Sequence, residues 1–85
     1  MPTRPSQREP DREASWIQSR ALVGARIRAL RIERGLTQEA LALESGVTRN
    51  ILIQVEHGKR GLLYERLFDL ADALEVSVSD LVRPE

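Results

Sequence analysis

Three residues near the middle of the chain, Thr37, Gly46 and Thr48, constrain the fold more than any others. A Thr hydroxyl at the edge of a helix accepts a bond from a backbone N–H two or three residues on, so each Thr marks a helix start. Thr37-Gln38-Glu39-Ala40 opens one helix and places Glu39 in its first turn, where the helix dipole favours an acid. Gly46 stops this helix after Ser45, and only Gly46-Val47 separates it from Thr48, which opens the next. A glycine supplies the backbone freedom that so tight a turn needs. Leu36, Ala40 and Leu41 are apolar at helical spacing in the first helix. Leu52 and Val55 are the buried pair of the second, which runs to about Glu56. Ala42 falls where the two helices cross, and its small side chain allows close approach.

The flanks are also helical. From about Glu13 to Arg34, Trp16, Val23, Ile27 and Leu30 follow one another at spacings of seven, four and three, a single stripe on a helix. Gly35 ends it, and Gly24 inside it allows a break near Leu22–Gly24. Trp16 and Ile17 lie upstream of what a minimal domain needs; they read either as core cover or as a contact for a second copy or another protein. After a loop at His57-Gly58-Lys59-Arg60-Gly61, Leu63 to Leu74 predicts a fourth helix with Tyr64, Leu67, Phe68, Ala71 and Leu74 as its apolar face. Ser77 or Ser79 caps a short last helix over Asp80–Val82, and Pro84 follows. No stretch alternates as a strand does. The expected fold is all-α with five helices. Residues 1–12 hold three of the four prolines and almost nothing apolar, so a disordered tail is expected there, with one domain over 13–85.

Composition narrows the class. A chain of 85 residues has room for one domain. The absence of cysteine excludes disulfides and Cys-based zinc fingers and fits a reducing compartment. The longest apolar run, Ala40 to Leu43, is far short of the roughly 20 residues that span a bilayer. The first residues lack the apolar core of a signal peptide, so a cytoplasmic protein is expected, with no membrane partner. Catalysis has little support: there is one histidine, no Gly-rich phosphate loop, no metal-ligand spacing and no nucleophile–base pair. His57 reads as a surface or backbone-contacting residue. No cofactor is expected.

The formal net charge is zero, which counts against a nucleic-acid partner. Its distribution does not. Residues 1–34 hold eight Arg against four acids (8 − 4 = +4), 35–60 balance at three and three, and 61–85 hold two Arg against six acids (2 − 6 = −4). A chain with one basic and one acidic end can present a basic face to phosphate. Of the thirteen basic residues only Lys59 is not an arginine, a bias that suits bidentate pairing with phosphate and guanine but also follows from genomic base composition.

The helix–Gly turn–helix of Gln38–Glu56 has helix-turn-helix geometry, with its second helix free to enter a major groove. Around it run Ile27-Arg28-x-Leu30-Arg31, Gly35-Leu36-Thr37-Gln38-x-x-Leu41-Ala42, Gly46-Val47-Thr48, Val55-Glu56-x-Gly58-Lys59 and Leu70-Ala71-x-Ala73-Leu74-x-Val76-Ser77. In this order and spacing, Ile27 to Val82 resembles the Cro/repressor-type helix-turn-helix family, over about two-thirds of the chain. The resemblance implies a repressor-like five-helix domain and a sequence-specific transcriptional regulator whose partner is double-stranded DNA. It implies a salt bridge between Arg31 and Glu56, tying the first helix to the third. Base reading would fall to Arg49, Asn50, Ile53 and Gln54. Phosphate contacts would fall to Gln38 and the helix start at Thr37, to Thr48, and to Lys59 and Arg60 beyond the third helix, with Arg28 as a possible assistant.

One segment departs from the family pattern. Gly61-Leu62-Leu63-Tyr64 stands where a polar cap commonly opens the fourth helix, and exposed leucines there would form a partner surface. The family often dimerises through its last two helices, which makes Leu62, Tyr64, Val78 and Leu81 the dimer candidates, with a place in the core as the equal alternative for each. Two functions follow. One is a regulator binding an inverted-repeat operator as a homodimer, in the nucleoid, with control of restriction–modification genes as a sub-case because such controllers are this short. With no separate effector domain, it is not expected to sense a small molecule. The other is a protein-partner module, such as an antitoxin that autoregulates its operon, using Trp16, Ile17 and Leu62-Leu63.

Overall fold

A computed structural model describes residues 5–83, and side chains from Pro10 onward, as five helices and no strand. They are α1 (Pro5–Glu33), α2 (Gln38–Ser45), α3 (Arg49–Glu56), α4 (Tyr64–Leu74) and α5 (Val78–Val82). No helix among the described residues is long and apolar enough to cross a membrane.

The central pair forms for the local reasons the sequence supplies. Thr37 Oγ1 accepts from the Ala40 N–H at 3.0 Å, and Thr48 Oγ1 from the Ile51 N–H at 3.3 Å, so each hydroxyl satisfies one orphan donor at a helix start. Gly46 takes the left-handed conformation (φ 78°) and donates to the Ala42 carbonyl, ending α2. Buried Ser45 locks the turn, its Oγ accepting from the Val47 N–H at 3.1 Å.

α1 departs from expectation at its start, and it decides between the alternatives at Gly24. It begins at Pro5 rather than near Glu13, so residues 5–12, expected as part of a disordered tail, are helical; residues 1–4 of that tail, and Pro84, lie outside the described residues. Proline suits the first position of a helix, where its missing N–H would go unbonded in any case. The helix is also unbroken at Gly24. That glycine is buried, and a Cβ there would lie 2.0 Å from the Val55 carbonyl oxygen. It lets α1 and α3 touch backbone to backbone.

The core joins all five helices: Ile27 and Leu30 of α1, Leu41 of α2, Val47 of the turn, Leu52 and Val55 of α3, Leu70, Ala71 and Leu74 of α4, and Leu81 of α5. Each large aliphatic side chain buried this way contributes about 1.5–3 kcal/mol. Trp16 does not join them; it and Ile17 are exposed, because the body of the domain reaches only as far along α1 as about Arg20. On α4 the buried stripe is Leu70, Ala71 and Leu74 with Leu67 beside it, which leaves Tyr64 and Phe68 of the expected apolar face exposed. Leu63 stands at the N-cap of α4 with no side-chain bond, and α5 starts at Val78, two residues before the expected Asp80.

Three contacts lay outside the sequence patterns. Arg26 Nε donates to the Asp80 carbonyl at 2.7 Å, and Arg34 Nη1 to the Leu74 carbonyl at 2.9 Å. Arg34 also pairs with the Glu75 carboxylate. Two arginines of α1 thus clamp the ends of α4 and α5, and Arg34 neutralises the negative end of the α4 dipole.

Candidate nucleic-acid interface

α3 has one face in the core and one face clear of it. Leu52, Val55 and Glu56 are buried; Arg49, Asn50 and Gln54 are exposed, and Ile53 is half-buried between the two faces. Arg49 and Asn50 occupy the first turn, next to Thr48, and Gln54 lies one turn further along the same face. The face therefore carries a guanidinium and two carboxamides, groups that pair bidentately with purine edges.

What holds this helix in place is the charged cluster on its inner side. Arg31 Nε donates to Glu56 Oε2 at 2.7 Å and Arg31 Nη2 to Glu56 Oε1 at 2.9 Å, a two-pronged pair in which the side chains keep 11% and 1% of their exposure. Arg31 Nη1 bonds the Leu36 carbonyl at 2.8 Å, and Gln38 Nε2 donates to Glu56 Oε1 at 3.2 Å. Glu56 sits at the C-terminal end of α3, where the dipole disfavours an acid. The guanidinium offsets that cost, and one bonded network ties α1, α2 and α3 together. Gln38 is half-buried against this network.

The loop after α3 is as firmly placed. The N–H groups of His57, Gly58 and Lys59 donate back to the Ile53, Val55 and Gln54 carbonyls at 3.2, 3.0 and 2.9 Å. Gly58 has φ 72°, and a Cβ there would come within 2.9 Å of the Ala21 Cα, so only glycine lets the loop settle on α1. Lys59 and Arg60 then project, exposed, beyond the end of α3, as does His57. Thr37, Thr48 and Arg28 are exposed as well. The two capping hydroxyls use an oxygen lone pair for the cap and retain a proton to donate.

The dimer candidates separate. Leu81 has 0% exposure and is core, with no surface to offer a second chain. It fills the space beneath α5 because that helix is only five residues long and has one apolar side. Leu62 and Val78 are half-buried against the core. Tyr64 is exposed, and beside it stand Leu63, whose exposure the departure from the family pattern anticipates, and Phe68, which belongs to the expected apolar face of α4. Leu43 on α2 is exposed too.

This architecture has close relatives. The model of the helix-turn-helix family matches residues 27–81. The chain belongs to the Cro/repressor-type helix-turn-helix family. It is 43% identical over 65 residues to the uncharacterized HTH-type transcriptional regulator y4dJ of Sinorhizobium fredii, covering 76% of this chain and 84% of that one. It is 40% identical over 62 residues to the HTH-type regulator YazB of Bacillus subtilis, covering 73% and 90%. Among solved structures, the restriction-modification controller protein C.AhdI of Aeromonas hydrophila superposes with a TM-score of 0.74 at 35% identity, over 76% of this chain and 94% of that one. The protein is thus a DNA-binding transcriptional regulator and not an enzyme.

Proposed function

We propose that the protein binds an inverted-repeat operator as a homodimer, with α3 of each copy in the major groove. The observation that carries this reading is the two-sided character of α3: one face is anchored by Gly24 and the Arg31–Glu56 pair, and the other presents Arg49, Asn50 and Gln54 to solvent. Arg49 forks onto guanine, Asn50 and Gln54 pair with adenine, and half-buried Ile53 packs on a thymine methyl. Thr37, Gln38, Thr48, Lys59 and Arg60 hold the phosphates and set the register, and they carry no sequence information directly. The exposed apolar surface of Leu63, Tyr64 and Phe68, next to Leu62, is where the two copies meet. Two-fold symmetry then puts the recognition helices about one duplex turn apart. The site of action is the nucleoid in the cytoplasm. The likeness to the restriction-modification controller protein C.AhdI supports control of restriction–modification genes.

A gel-shift titration on the protein's own promoter tests the assignment. Arg49→Ala and Gln54→Ala are each expected to cost roughly 1–3 kcal/mol on the operator and little on random duplex, while Lys59→Ala weakens both about equally. Equal losses on both duplexes for all three variants would sink it.

Exposed Trp16 and Ile17 favour a second reading, a protein partner such as a toxin encoded next to this gene. Trp16 is the only tryptophan, so its emission reports directly on that face. A blue shift on adding the neighbouring gene's product supports the reading, and an unmoved spectrum under saturating conditions removes it.

A further inference from the structure

α1 is apolar on two opposite sides. Its inner side sends Val23, Ile27 and Leu30 to the core. On its outer side Gln18, Leu22, Ala25, Ala29 and Ile32 recur at spacings of four, three, four and three, the repeat of a coiled-coil seam. At about 100° per residue, that outer stripe lies roughly 150° round the helix from the core. All five residues are exposed, Leu22 at 40% and Ile32 at 50%. A helix packed against a body along one face is normally polar on the other. Here a shallow groove, lined by Leu22, Ala25 and Ala29 with Arg26 and Arg83 at its edge, runs along the free side.

We propose that the outer face of α1 is covered by α1 of a second copy, in an antiparallel pair centred at the level of Val23 and Gly24. The stripe is complementary to its own reverse. Leu22 meets the partner's Ala25, Gln18 meets the partner's Ala29, and Ser15, the next residue of the stripe, meets the partner's Ile32. A larger side chain faces a smaller one at each level, which lets the two helices approach closely.

Charge sets the direction. In this register the flanking residue Arg12 faces the partner's Glu33, and the symmetric pair repeats it, while Ser19 and Ala21 face the partner's Arg26 and Arg28. No like charges meet. Residues 20–34 carry five arginines (Arg20, Arg26, Arg28, Arg31, Arg34) against the single acid Glu33, whereas Asp11 and Glu13 flank Arg12 near the other end. An antiparallel pair lays the Asp11–Glu13 segment along the partner's basic half; a parallel pair lays the two basic halves along each other. The helix dipoles favour the same choice.

The arrangement also suits the DNA-binding face. Gly24, where α1 touches α3, lies about a third of a turn round the helix from the stripe. The two-fold axis of an antiparallel pair is normal to the plane of the two helices, so it leaves both α3 helices on the same side. This contact is separate from the α4 surface of the proposed dimer.

The chain has no cysteine, so each introduced thiol is unique. Gln18→Cys and Ala29→Cys are prepared separately in the full chain, on exposed sites, and oxidised alone and mixed. The mixture is expected to give a cross-linked heterodimer and each variant alone to stay monomeric on a non-reducing gel. Like residues in the antiparallel pair stand 11 positions apart (29 − 18 = 11), roughly 16 Å along the axis, beyond disulfide reach. Cross-linking of each variant with itself, or of none, overturns the proposal. In analytical ultracentrifugation, Ala25→Glu/Ala29→Glu is expected to halve the mass of the largest species with helicity unchanged; an unchanged mass overturns it. The cross-link is expected to persist in a Tyr64→Glu background. Its loss there would assign the association to α4 and overturn the proposal.

Discussion

At the scale of single residues, two positions set where the recognition helix sits. Gly24 is the point of closest approach between α1 and α3, and an added methyl would enter the Val55 carbonyl. The backbone has to move, since no side chain stands in the way to rotate aside. Gly24→Ala is expected to cost roughly 3 kcal/mol, the upper end for overpacking. That is a large part of what an 85-residue domain has, and a urea denaturation curve measures it. The Arg31–Glu56 pair anchors the same face of α3. Removing one partner strands a charge in a space that leaves the Glu56 side chain 1% exposed. Arg31→Ala is expected to cost about 3–5 kcal/mol, and Arg49→Ala, on the exposed face, close to nothing; thermal melts of the two variants give the comparison. Both features bear on legibility. Arg31 and Glu56 were readable through the family pattern they complete. Gly24 leaves a break open, because a lone glycine in a helix looks the same in sequence whether it bends the chain or admits a neighbour.

At the scale of elements, α2 and α3 could be placed from local signals alone, because each is opened by a capping threonine. Thr37, Gly46 and Thr48 act on backbone groups within three or four residues, so their meaning is local and survives without knowledge of the rest. α4 has no capping side chain, and its apolar stripe was drawn too wide. Periodicity shows that Tyr64, Phe68 and Leu70 share a helix; it does not show which of them the neighbours cover. For the same reason periodicity leaves Leu81 open between core and dimer surface, and its burial decides for the core. α5 has a signal that was only half used. The Asp80 carboxylate accepts from the Ser77 N–H at 3.2 Å and the Ser77 hydroxyl at 3.0 Å. These two bonds, backbone first, and then the charges of Arg83 and Arg26, hold its pKa below the usual 3.8. A carboxyl whose folded pKa is depressed adds stability above its unfolded value and loses that stability as pH falls through the folded one. Wild type is therefore expected to lose more of its melting temperature than Asp80→Asn on acidification to below about pH 3.8, and parallel curves for the two proteins would remove the cap from the account.

At the scale of the molecule, zero net charge was an objection to DNA binding that the fold disposes of by segregation. Glu44, Asp69, Asp72 and Glu75 gather round one groove between α2 and α4, with Arg34 among them. Lys59 and Arg60 project from the end of α3. Affinity for duplex depends on the phosphates neutralised locally, because the salt sensitivity comes from counterions released at those contacts and falls by about 0.9 per contact in log K against log salt. The proposed dimer brings two copies each of Lys59 and Arg60, four charges, which sets an expected slope of about −3.6. Lys59→Ala removes two of them per dimer and is expected to bring the slope to about −1.8. Asp72→Asn changes the net charge of the chain by one unit in the opposite direction, yet its exposed carboxylate belongs to the acidic groove. If local contacts govern binding, its slope stays at the wild-type value and only the absolute affinity rises slightly through the long-range field. Affinities measured at four salt concentrations for the three proteins decide the matter. A slope that follows net charge, moving by equal amounts in opposite directions for Lys59→Ala and Asp72→Asn, would mean that the duplex is held by the field of the whole molecule and not by the loop after α3.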